Sequence, residues 1–425
     1  MYYLKGHPFG AIRQNWLLTH YMEGGRTIEE GLQMAKLLER YGVDALDIDS
    51  GCYELNYLPH PLTTIPCGTF AVLAEQAKKV VSIPVITSTR VGYPEIISCG
   101  QADYVCLGRP LIADPQWANK ARTGETVRPC LACHEGCLRR LGYNKPLSCA
   151  VNPLAGNEKY LELEPSTVKK RVCVIGGGIA GMVAAITCYL RGHEVTLFEQ
   201  ANELGGNFRK EYVPTFKYDY SRYVDYLKER LDMSTVKIEY ETTVTPALLN
   251  NKGYDVVVNA IGAHFKSINI KGLDVAVIHP MELYKDKDFT GWNLVIVGGG
   301  LVGAEAALNV ANHNGMVTII EITGTIASAA QKVNQQHLLV LLKEKGVACL
   351  TDTRVVKIDG NLLICSNYHD SEIKIPCDHI SLCVGMEPSN IDLSDFKNVI
   401  TVGDADHSGI VLDAVWSAYR QCRLI

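Results

Sequence analysis

Four cysteines stand close together in the sequence and could share one metal centre. The stretch RPCLACHEGCLRRLGYNKPLSCAVNP spaces them as C-x2-C-x3-C-x11-C, at Cys130, Cys133, Cys137 and Cys149. Thiolates two or three residues apart on a loop can converge on one centre, and a more distant thiolate can complete its coordination. Four thiolates suit a structural zinc ion or an iron–sulfur cluster. Structural zinc usually uses two C-x2-C pairs, and this stretch holds one.

Two glycine-rich turns follow the cysteines, and each has the pattern of a nucleotide-binding loop. VCVIGGGIAGMVAA (172–185) and LVIVGGGLVGAEAA (294–307) both predict a strand, a tight turn and a helix. The glycines of such a loop let the backbone turn and approach a pyrophosphate, which then faces the helix N-terminus. The pattern assigns cofactor binding to Gly176, Gly178, Ala180 and Gly181 in the first loop and to Gly298, Gly300 and Gly303 in the second.

An acidic residue closes each of these two units. Glu199 ends HEVTLFE and Glu321 ends GMVTIIE, and both lie 23 residues after the first glycine of their loop. A carboxylate at this position accepts a hydrogen bond from a ribose hydroxyl. Two dinucleotide-binding folds are therefore predicted. Next to two nucleotide-binding folds, the four cysteines are better explained by a centre that carries electrons. We therefore favour a [4Fe–4S] cluster, with zinc and a metal-free segment as the alternatives.

Chain length and net charge indicate the number of domains and exclude some classes of partner. The chain has 425 residues, which indicates two or three domains. Its net charge of −5 indicates no binding to nucleic acid or to an anionic membrane. No apolar run approaches the ~20 residues that cross a bilayer. The first residues, MYYLKGHPFGAIRQNW, lack the apolar core of a signal peptide, so we expect a cytoplasmic protein with reduced cysteines.

The elements that position these residues are predicted to be α/β. Residues 1–125 alternate strand and helix patterns, such as RTIEEGLQMAKLLERYG (26–42) and YPEIISCG (93–100) as helices and VDALDID (43–49) as a strand. About four such units are expected, with a parallel sheet. The cysteines and a linker occupy 126–165, and the rest of the chain has a doubly wound α/β pattern.

A third glycine turn lies near the C-terminus. ITVGDA (400–405) predicts a strand and a tight turn at Gly403 and Asp404, whose carboxylate can bind the ribityl chain of a flavin. Together with the two loops, this arrangement resembles the flavoprotein disulfide-reductase-like family. The resemblance implies an FAD-binding domain built from 166–271 and 381–425, with an NAD(P)-binding domain, 272–380, inserted into it. The segment ITGTIA after Glu321 has no arginine, which favours NADH over NADPH.

The stretches around the cysteines extend the resemblance to nearly the whole chain. VITSTR, ADYVCLGRPLIADP, VRPCLACHEGC and LSCAVNP resemble the 2-enoate reductase and 2,4-dienoyl-CoA reductase family of Old Yellow Enzyme-like NADH:flavin oxidoreductases. Trimethylamine dehydrogenase and the bile-acid-inducible reductases are relatives of that family. The resemblance implies the C-terminal half of an FMN-type (β/α)8 barrel at 1–125, a [4Fe–4S] segment at 126–165, and then the FAD and NAD(P) domains.

The resemblance also assigns roles to single residues. Arg90 in TSTR, and Gly108 with Arg109 in LGRP, would hold the FMN phosphate. Tyr53 in DSGCYE would be the catalytic proton donor or would orient the substrate. Further contacts to the flavin or the adenine would come from Asn207, Lys217 and Val244.

The implied reaction carries electrons from NADH to FAD, to the cluster, to FMN and then to the activated C=C bond of a small unsaturated acid or thioester. Full-length relatives have eight β/α units before the cluster, and this chain has room for about four. We therefore expect FMN to bind weakly or not at all. Three explanations of the missing units stay open, namely a fragmentary reading frame, a second chain that supplies them, and a shortened module that no longer reduces enoates, and a homo-oligomer is also open. Two alternatives are an electron-transfer subunit that passes NADH electrons to a partner protein, and an inactive remnant that only binds nucleotides.

Overall fold

The computed structural model describes residues 12–94, 100–250, 252–273 and 276–425. The chain divides into two compact units, the first ending at Cys137 and the second beginning at Leu138. Within the described residues, no helix combines the length and the apolar character needed to cross a bilayer. The start of the chain, from which a cytoplasmic location was predicted, lies largely outside these ranges.

The first unit contains one parallel sheet of four strands, and the strands follow one another in chain order. The strands are β1 (Arg13–Leu17), β2 (Ala45–Asp49), β3 (Val85–Thr87) and β4 (Tyr104–Val105). The helices are α1 (Ile28–Arg40), α2 (Ala71–Lys78), α3 (Arg109–Ala113) and α4 (Trp117–Thr123). This is the predicted series of four β/α units. The helix predicted over 93–100 falls mostly on residues outside the described ranges.

Local chemistry explains where α1 begins and which face of the sheet it covers. The Thr27 hydroxyl accepts from Glu30 N, and the Glu30 carboxylate accepts from Thr27 N, so each group satisfies an otherwise unpaired N–H. Leu46 and Ile48 of β2 pack into one apolar core with Ala35 of α1. Asp47 lies on the opposite face of the sheet, where it forms an ion pair with Arg13.

The second unit contains two parallel sheets of five strands each, as expected for two dinucleotide folds. The first sheet has the order β19-β8-β5-β6-β7 and the second β10-β17-β11-β12-β13. The first is formed by β5 (Arg171–Ile175), β6 (Glu194–Phe198), β7 (Lys237–Glu239), β8 (Val256–Asn259) and β19 (Val399–Thr401). The second is formed by β10 (Ala276–Val277), β11 (Asn293–Val297), β12 (Met316–Ile320), β13 (Ala348–Leu350) and β17 (His379–Leu382).

Smaller sheets and eight helices complete the described part of the second unit. An antiparallel sheet is formed by β14 (Thr353–Asp359), β15 (Leu362–Asn367) and β16 (Glu372–Pro376). The helices are α5 (Leu138–Gly142), α6 (Glu158–Leu161), α7 (Ile179–Leu190), α8 (Tyr218–Asp232), α9 (Pro246–Asn250), α10 (Leu301–Asn312), α11 (Lys332–Glu344) and α12 (Val411–Cys422).

A short antiparallel ribbon marks the passage between the two dinucleotide folds. The chain leaves the first sheet after β8, passes along β9 (Ala263–Phe265), builds the second sheet, and returns along β18 (Met386–Pro388) to β19. β9 and β18 pair with each other, with Phe265 opposite Met386. The second fold is therefore inserted into the first, as the sequence predicted.

Candidate cofactor-binding sites

The first glycine loop joins β5 to α7 and has no room for side chains on its inner side. Gly176 has a φ of +99°, and a methyl group there would collide with the Ala260 carbonyl oxygen at the end of β8. A methyl group at Gly181 would collide with the Gly176 carbonyl oxygen, so the helix packs directly on the turn. At Gly178 the nearest atom to such a methyl group is 4.0 Å away, which leaves the outer side of the loop open to a ligand.

The C-terminal glycine turn lies against this same loop. A methyl group at Gly403, which has a φ of +63°, would come 2.6 Å from the Ala180 side chain. The following residue, Asp404, accepts from Gly409 N at 3.0 Å, and burial raises the pKa of its carboxyl group. The structure thus brings Gly403 and Asp404 to the N-terminal end of α7, where the sequence predicted a flavin contact.

The acid of the first fold is bound to the glycine loop. Glu199 accepts from Gly177 N at 2.7 Å with one carboxylate oxygen and from Ala201 N at 2.8 Å with the other. The residue is buried at the end of β6. Since a carboxylate offers about four lone-pair sites, these two bonds leave capacity for a ribose hydroxyl.

The second glycine loop repeats the first in detail. Gly298 has a φ of +104°, and a methyl group there would collide with the Cys383 carbonyl oxygen after β17. A methyl group at Gly303 would collide with the Gly298 carbonyl oxygen, whereas one at Gly300 would meet nothing within 4 Å. Glu321 accepts from Gly299 N at 2.7 Å, just as Glu199 accepts from Gly177.

The surroundings of Glu321 are strongly acidic and hydroxylated. Its second oxygen accepts from both the backbone N–H and the hydroxyl of Thr323, each at 2.8 Å. A methyl group at Gly324 would lie 3.3 Å from the Asp352 carboxylate, so a second acid stands beside this loop. Two carboxylates here disfavour a 2′-phosphate group through like-charge repulsion.

Lys217, one of the predicted flavin contacts, forms an ion pair across the two dinucleotide folds. Its Nζ lies 2.6 Å from a carboxylate oxygen of Glu305 on α10, and the two side chains are 13% and 12% exposed. The neighbouring Tyr284 is buried, which raises the pKa of its phenol well above the usual value. Because both side chains are largely buried, removal of one partner would leave a buried unpaired charge and destabilise the fold.

The two other predicted flavin or adenine contacts differ in exposure. Asn207 is exposed in a short turn that follows Gly206, and a methyl group at Gly206 would lie 3.1 Å from Gly178 Cα. Val244 is buried and packs with Cys173 and Val257 in the core of the first fold. Asn207 is thus beside the glycine loop, and Val244 supports the strands from which that loop emerges.

In the first unit, the two predicted phosphate-binding arginines reach the same loop. Arg90 Nε donates to the Ile65 carbonyl oxygen at 2.6 Å, and Arg109 donates to the Pro61 carbonyl oxygen at 2.8 Å. Gly108, which precedes α3, has nothing within 4 Å of a methyl group built on it. The structure therefore brings Arg90 and Arg109 together at residues 61–65.

Tyr53 lies after β2, and the partly buried acid Asp49 is the last residue of that strand, in the region where catalytic side chains of barrel enzymes are found. The Tyr53 side chain is 86% exposed. Asp49 accepts from the Thr89 hydroxyl at 2.6 Å, and burial raises the pKa of its carboxyl group. The sequence reasoning passed over Asp49, although it is an acidic residue at the end of an apolar strand.

The cysteine segment shows sulfur acceptors and a buried histidine. Ala132 N donates to Cys130 Sγ at 3.4 Å, and Ala132 and His134 both have positive φ. His134 is 1% exposed and its Nε2 lies 2.7 Å from an Arg109 nitrogen. Burial, followed by the charge of Arg109, lowers the pKa of His134 to about 3. A neutral ring that accepts at Nε2 carries its proton on Nδ1, a buried atom for which the described residues offer no hydrogen-bond partner.

The residue types in this segment are those that bind iron–sulfur clusters. Cys130, Cys133, Cys137 and Cys149 form no disulfide. An N–H bonded to sulfur and a buried unpaired N–H donor are both suited to thiolate and sulfide acceptors. In the described ranges, however, no group of three or more His, Cys, Asp or Glu side chains is arranged to hold a metal ion. Binding of a [4Fe–4S] cluster therefore stays a prediction.

Glu305 is a second residue that the sequence analysis did not single out, although the aligned loops contain a signal for it. In the repeated loops, AGMVAA of the first copy aligns with VGAEAA of the second, so Glu305 occupies the position of Val183. A charged residue where its copy has a buried valine indicates that a partner is close.

Known proteins share this arrangement in sequence and in fold. Cinnamate reductase of Clostridium sporogenes is 34% identical over 420 residues, which cover 95% of this chain and 63% of that protein. NADH oxidase of Thermoanaerobacter brockii is 34% identical over 422 residues, covering 94% and 64%. A structure of 2-naphthoyl-CoA reductase with 2-naphthoyl-CoA superposes with a TM-score of 0.88 at 25% identity, covering 98% and 65%. The chain thus spans a little under two thirds of the length of each.

These comparisons confirm the predicted resemblance to enoate-reductase-type enzymes and the α/β fold class. They support the binding of FAD and of a nicotinamide nucleotide, whereas FMN and the [4Fe–4S] cluster stay predictions. Residues 170–414 match the family described as pyridine nucleotide-disulphide oxidoreductase, which confirms the prediction of an oxidoreductase. Because this match covers more than half of the sequence, the chain belongs to the pyridine nucleotide-disulphide oxidoreductase family.

Proposed function

We propose that this chain takes electrons from NADH and delivers them, by way of FAD, a [4Fe–4S] cluster and FMN, to the activated C=C bond of an unsaturated acid or thioester. The observation that carries the proposal is the repeated glycine loop, in which Glu199 and Glu321 bind equivalent backbone amides. Two such loops in one compact unit give one place for a flavin nucleotide and one for its reductant.

The assignment of the two loops follows from their neighbours. The first loop lies against Gly403 and Asp404, which suits FAD because a carboxylate there can bind a ribityl hydroxyl. The second loop lies beside Glu321 and Asp352, which suits the ribose of NADH and opposes the phosphate of NADPH. Lys217, held by Glu305, would contact the flavin from the side of the second fold.

The cofactors supply the redox chemistry when bound, with hydride exchange between nicotinamide and FAD, single-electron transfer at the cluster, and reduction of the substrate at FMN. The chain's own residues bind and orient these groups. Four cysteines would hold the cluster, with Cys130 already receiving an N–H bond. Arg90 and Arg109 would hold the FMN phosphate, and Tyr53 would orient the substrate or donate a proton to it.

The substrate class is inferred from the relatives. One is named for cinnamate, an unsaturated acid, and another was solved with 2-naphthoyl-CoA, an unsaturated thioester. Both carry a C=C bond conjugated with a carbonyl group, which is the bond that a hydride from a reduced flavin can attack. We therefore propose a small unsaturated acid or thioester as the substrate.

The test begins with anaerobic purification of the full chain. We expect bound FAD, about four irons per chain, and NADH-dependent reduction of ferricyanide. Cinnamate is the enoate probe, assayed after addition of FMN. Stoichiometric zinc without iron would contradict the cluster, and a preference for NADPH would contradict the role of Glu321. FAD and a cluster without any enoate reduction, even after a second chain has supplied further β/α units and FMN is bound, would instead identify an electron-transfer subunit.

A further inference from the structure

A tryptophan on the C-terminal helix binds the backbone of the fourth predicted cluster ligand. The indole N–H of Trp416 on α12 donates to the Cys149 carbonyl oxygen at 2.9 Å. The Trp416 side chain is 8% exposed, so water competes little for this carbonyl. The bond is made to the peptide group, and it therefore fixes the backbone from which the Cys149 thiol projects.

Two arginines make cation–π contacts with the ring of this tryptophan. The guanidinium carbon of Arg420 lies 4.3 Å from the Trp416 ring centroid, and that of Arg140 lies 5.7 Å from it. Arg140 belongs to α5, which directly follows Cys137 in sequence, and its Nε donates to the Pro146 carbonyl oxygen at 2.8 Å. Because Arg140 lies on α5, its cation–π attraction to the Trp416 ring also holds α5 against α12.

The residue next to Trp416 contacts the predicted flavin turn. Ser417 Oγ accepts from Gly403 N at 2.9 Å. Trp416 and Ser417 are consecutive residues of one helix, so a single turn of α12 holds the Cys149 carbonyl through one side chain and the flavin turn through the other. Because helical residues are held rigidly relative to each other, the two contacts fix the distance between these segments.

We propose that Trp416 is a positioning residue for the cluster, which holds Cys149 at a set place relative to the flavin turn at Gly403. This inference rests on the proposed function, since it assigns a purpose to Cys149 as a cluster ligand. Electron transfer between a flavin and a cluster would depend on the separation of the segments that bind them, and Trp416 and Ser417 hold these two segments from one helix.

The test uses the full chain, purified without oxygen, and two replacements of Trp416. Trp416→Phe keeps an aromatic ring and removes the N–H donor. Replacement of Trp416 by 3-benzothienylalanine, introduced as a non-standard residue, keeps the size of the ring system and also removes the donor. The matched control is Tyr419→Phe on the same helix, which removes a hydrogen bond to the Leu161 carbonyl oxygen at 2.6 Å and keeps the Trp416 N–H donor.

The readouts are iron content, bleaching of the cluster absorbance in air, and alkylation of Cys149 in the iron-free chain followed by mass spectrometry. We expect both Trp416 replacements to lose the cluster. In the iron-free chain, we expect Cys149 to be alkylated at a rate about fivefold higher than in the control, which is the factor that one net hydrogen bond contributes. FAD content is measured alongside as a sign of correct folding. If Trp416→Phe fails to fold, the isosteric replacement decides.

The outcomes separate this inference from the proposed function. An unmodified chain that never acquires iron would overturn the proposed cluster, and this inference with it. An unmodified chain with a cluster, together with Trp416 replacements that match Tyr419→Phe in bleaching and alkylation, would overturn the inference alone.

Discussion

At the residue scale, two glutamates in equivalent positions differ in what else they bind. Within the described part of the chain, Glu199 accepts from two backbone amides, whereas Glu321 also accepts from the Thr323 hydroxyl. Asp352 stands beside the loop of Glu321 as a further acid. From these contacts we expect the second loop to determine the choice between NADH and NADPH.

We expect Glu321→Arg to lower kcat/KM for NADH by about tenfold to a hundredfold, because the ribose loses a charged hydrogen-bond acceptor. The value for NADPH is expected to fall less or to rise. Steady-state rates with both nucleotides and ferricyanide measure the change. In the matched control, Glu199→Gln, the amount of bound FAD should fall, while the ratio of kcat/KM for NADH to kcat/KM for NADPH should stay the same. An unmodified chain that prefers NADPH would contradict the assignment.

The ion pair between Lys217 and Glu305 gives a second expectation at this scale. Lys217→Met should lower the free energy of unfolding by about 3 kcal/mol, because it leaves the Glu305 carboxylate without its partner in a largely buried place. Urea unfolding of the chain measures the loss. The double variant Lys217→Met with Glu305→Leu should recover part of it, since two apolar groups replace the pair. Equal stability of the single and double variants would contradict the expected cost of leaving the Glu305 carboxylate without its partner.

At the element scale, each glycine loop separates positions that hold the fold from positions that face a ligand. Gly303→Ala would place a methyl group against the Gly298 carbonyl oxygen, whereas Gly300→Ala meets nothing within 4 Å. We expect Gly303→Ala to reduce stability and Gly300→Ala to leave the melting temperature unchanged while raising KM for NADH. Thermal unfolding and steady-state kinetics distinguish the two. A Gly300→Ala variant with unaltered KM would argue against this face as the nucleotide site.

Helix α11 carries a buried histidine that makes the second fold sensitive to acid. Burial lowers the pKa of His337 to about 4, compared with an unfolded value of about 6.5. Between these values the unfolded chain binds a proton that the folded chain does not, so stability falls as the pH drops from 6.5 towards 4. Between pH 6.5 and pH 4, we expect the free energy of unfolding of His337→Gln to fall by about 2 kcal/mol less than that of the unmodified chain. Urea unfolding at several pH values measures this difference. His369→Gln, at an exposed position, should behave like the unmodified chain.

At the scale of the whole molecule, the sequence predicted the repeated folds well because the same local pattern occurs twice. Strand, glycine turn, helix and acid are all local signals, and their order in the chain is the order of the structure. The contacts between Lys217 and Glu305 and between Trp416 and Cys149 could not be predicted in this way. Each joins residues far apart in sequence, and no periodic pattern records such a pair.

The first unit leads to an expectation about the activity of the full chain. Among the described residues, β1 and β4 each pair with a single neighbouring strand, and the two arginines bind the loop at 61–65. Flavin pockets usually bury most of their ligand. We therefore expect the chain by itself to reduce ferricyanide with NADH and to reduce cinnamate poorly, with FMN weakly bound. A second chain supplying further β/α units should raise both FMN occupancy and cinnamate reduction. Rapid cinnamate reduction by the chain alone would contradict this.

The ribbon of β9 and β18 has a consequence for how such a molecule can arise and be altered. Because Phe265 and Met386 are paired neighbours, the two ends of the inserted fold leave the first fold side by side. A gene segment that encodes the fold between them can therefore enter, leave or be exchanged without forcing the host sheet to open. Replacing this segment with that of a relative is a direct route to a hybrid with a different preference for its reductant, in which the flavin-binding part of the chain keeps its own sequence.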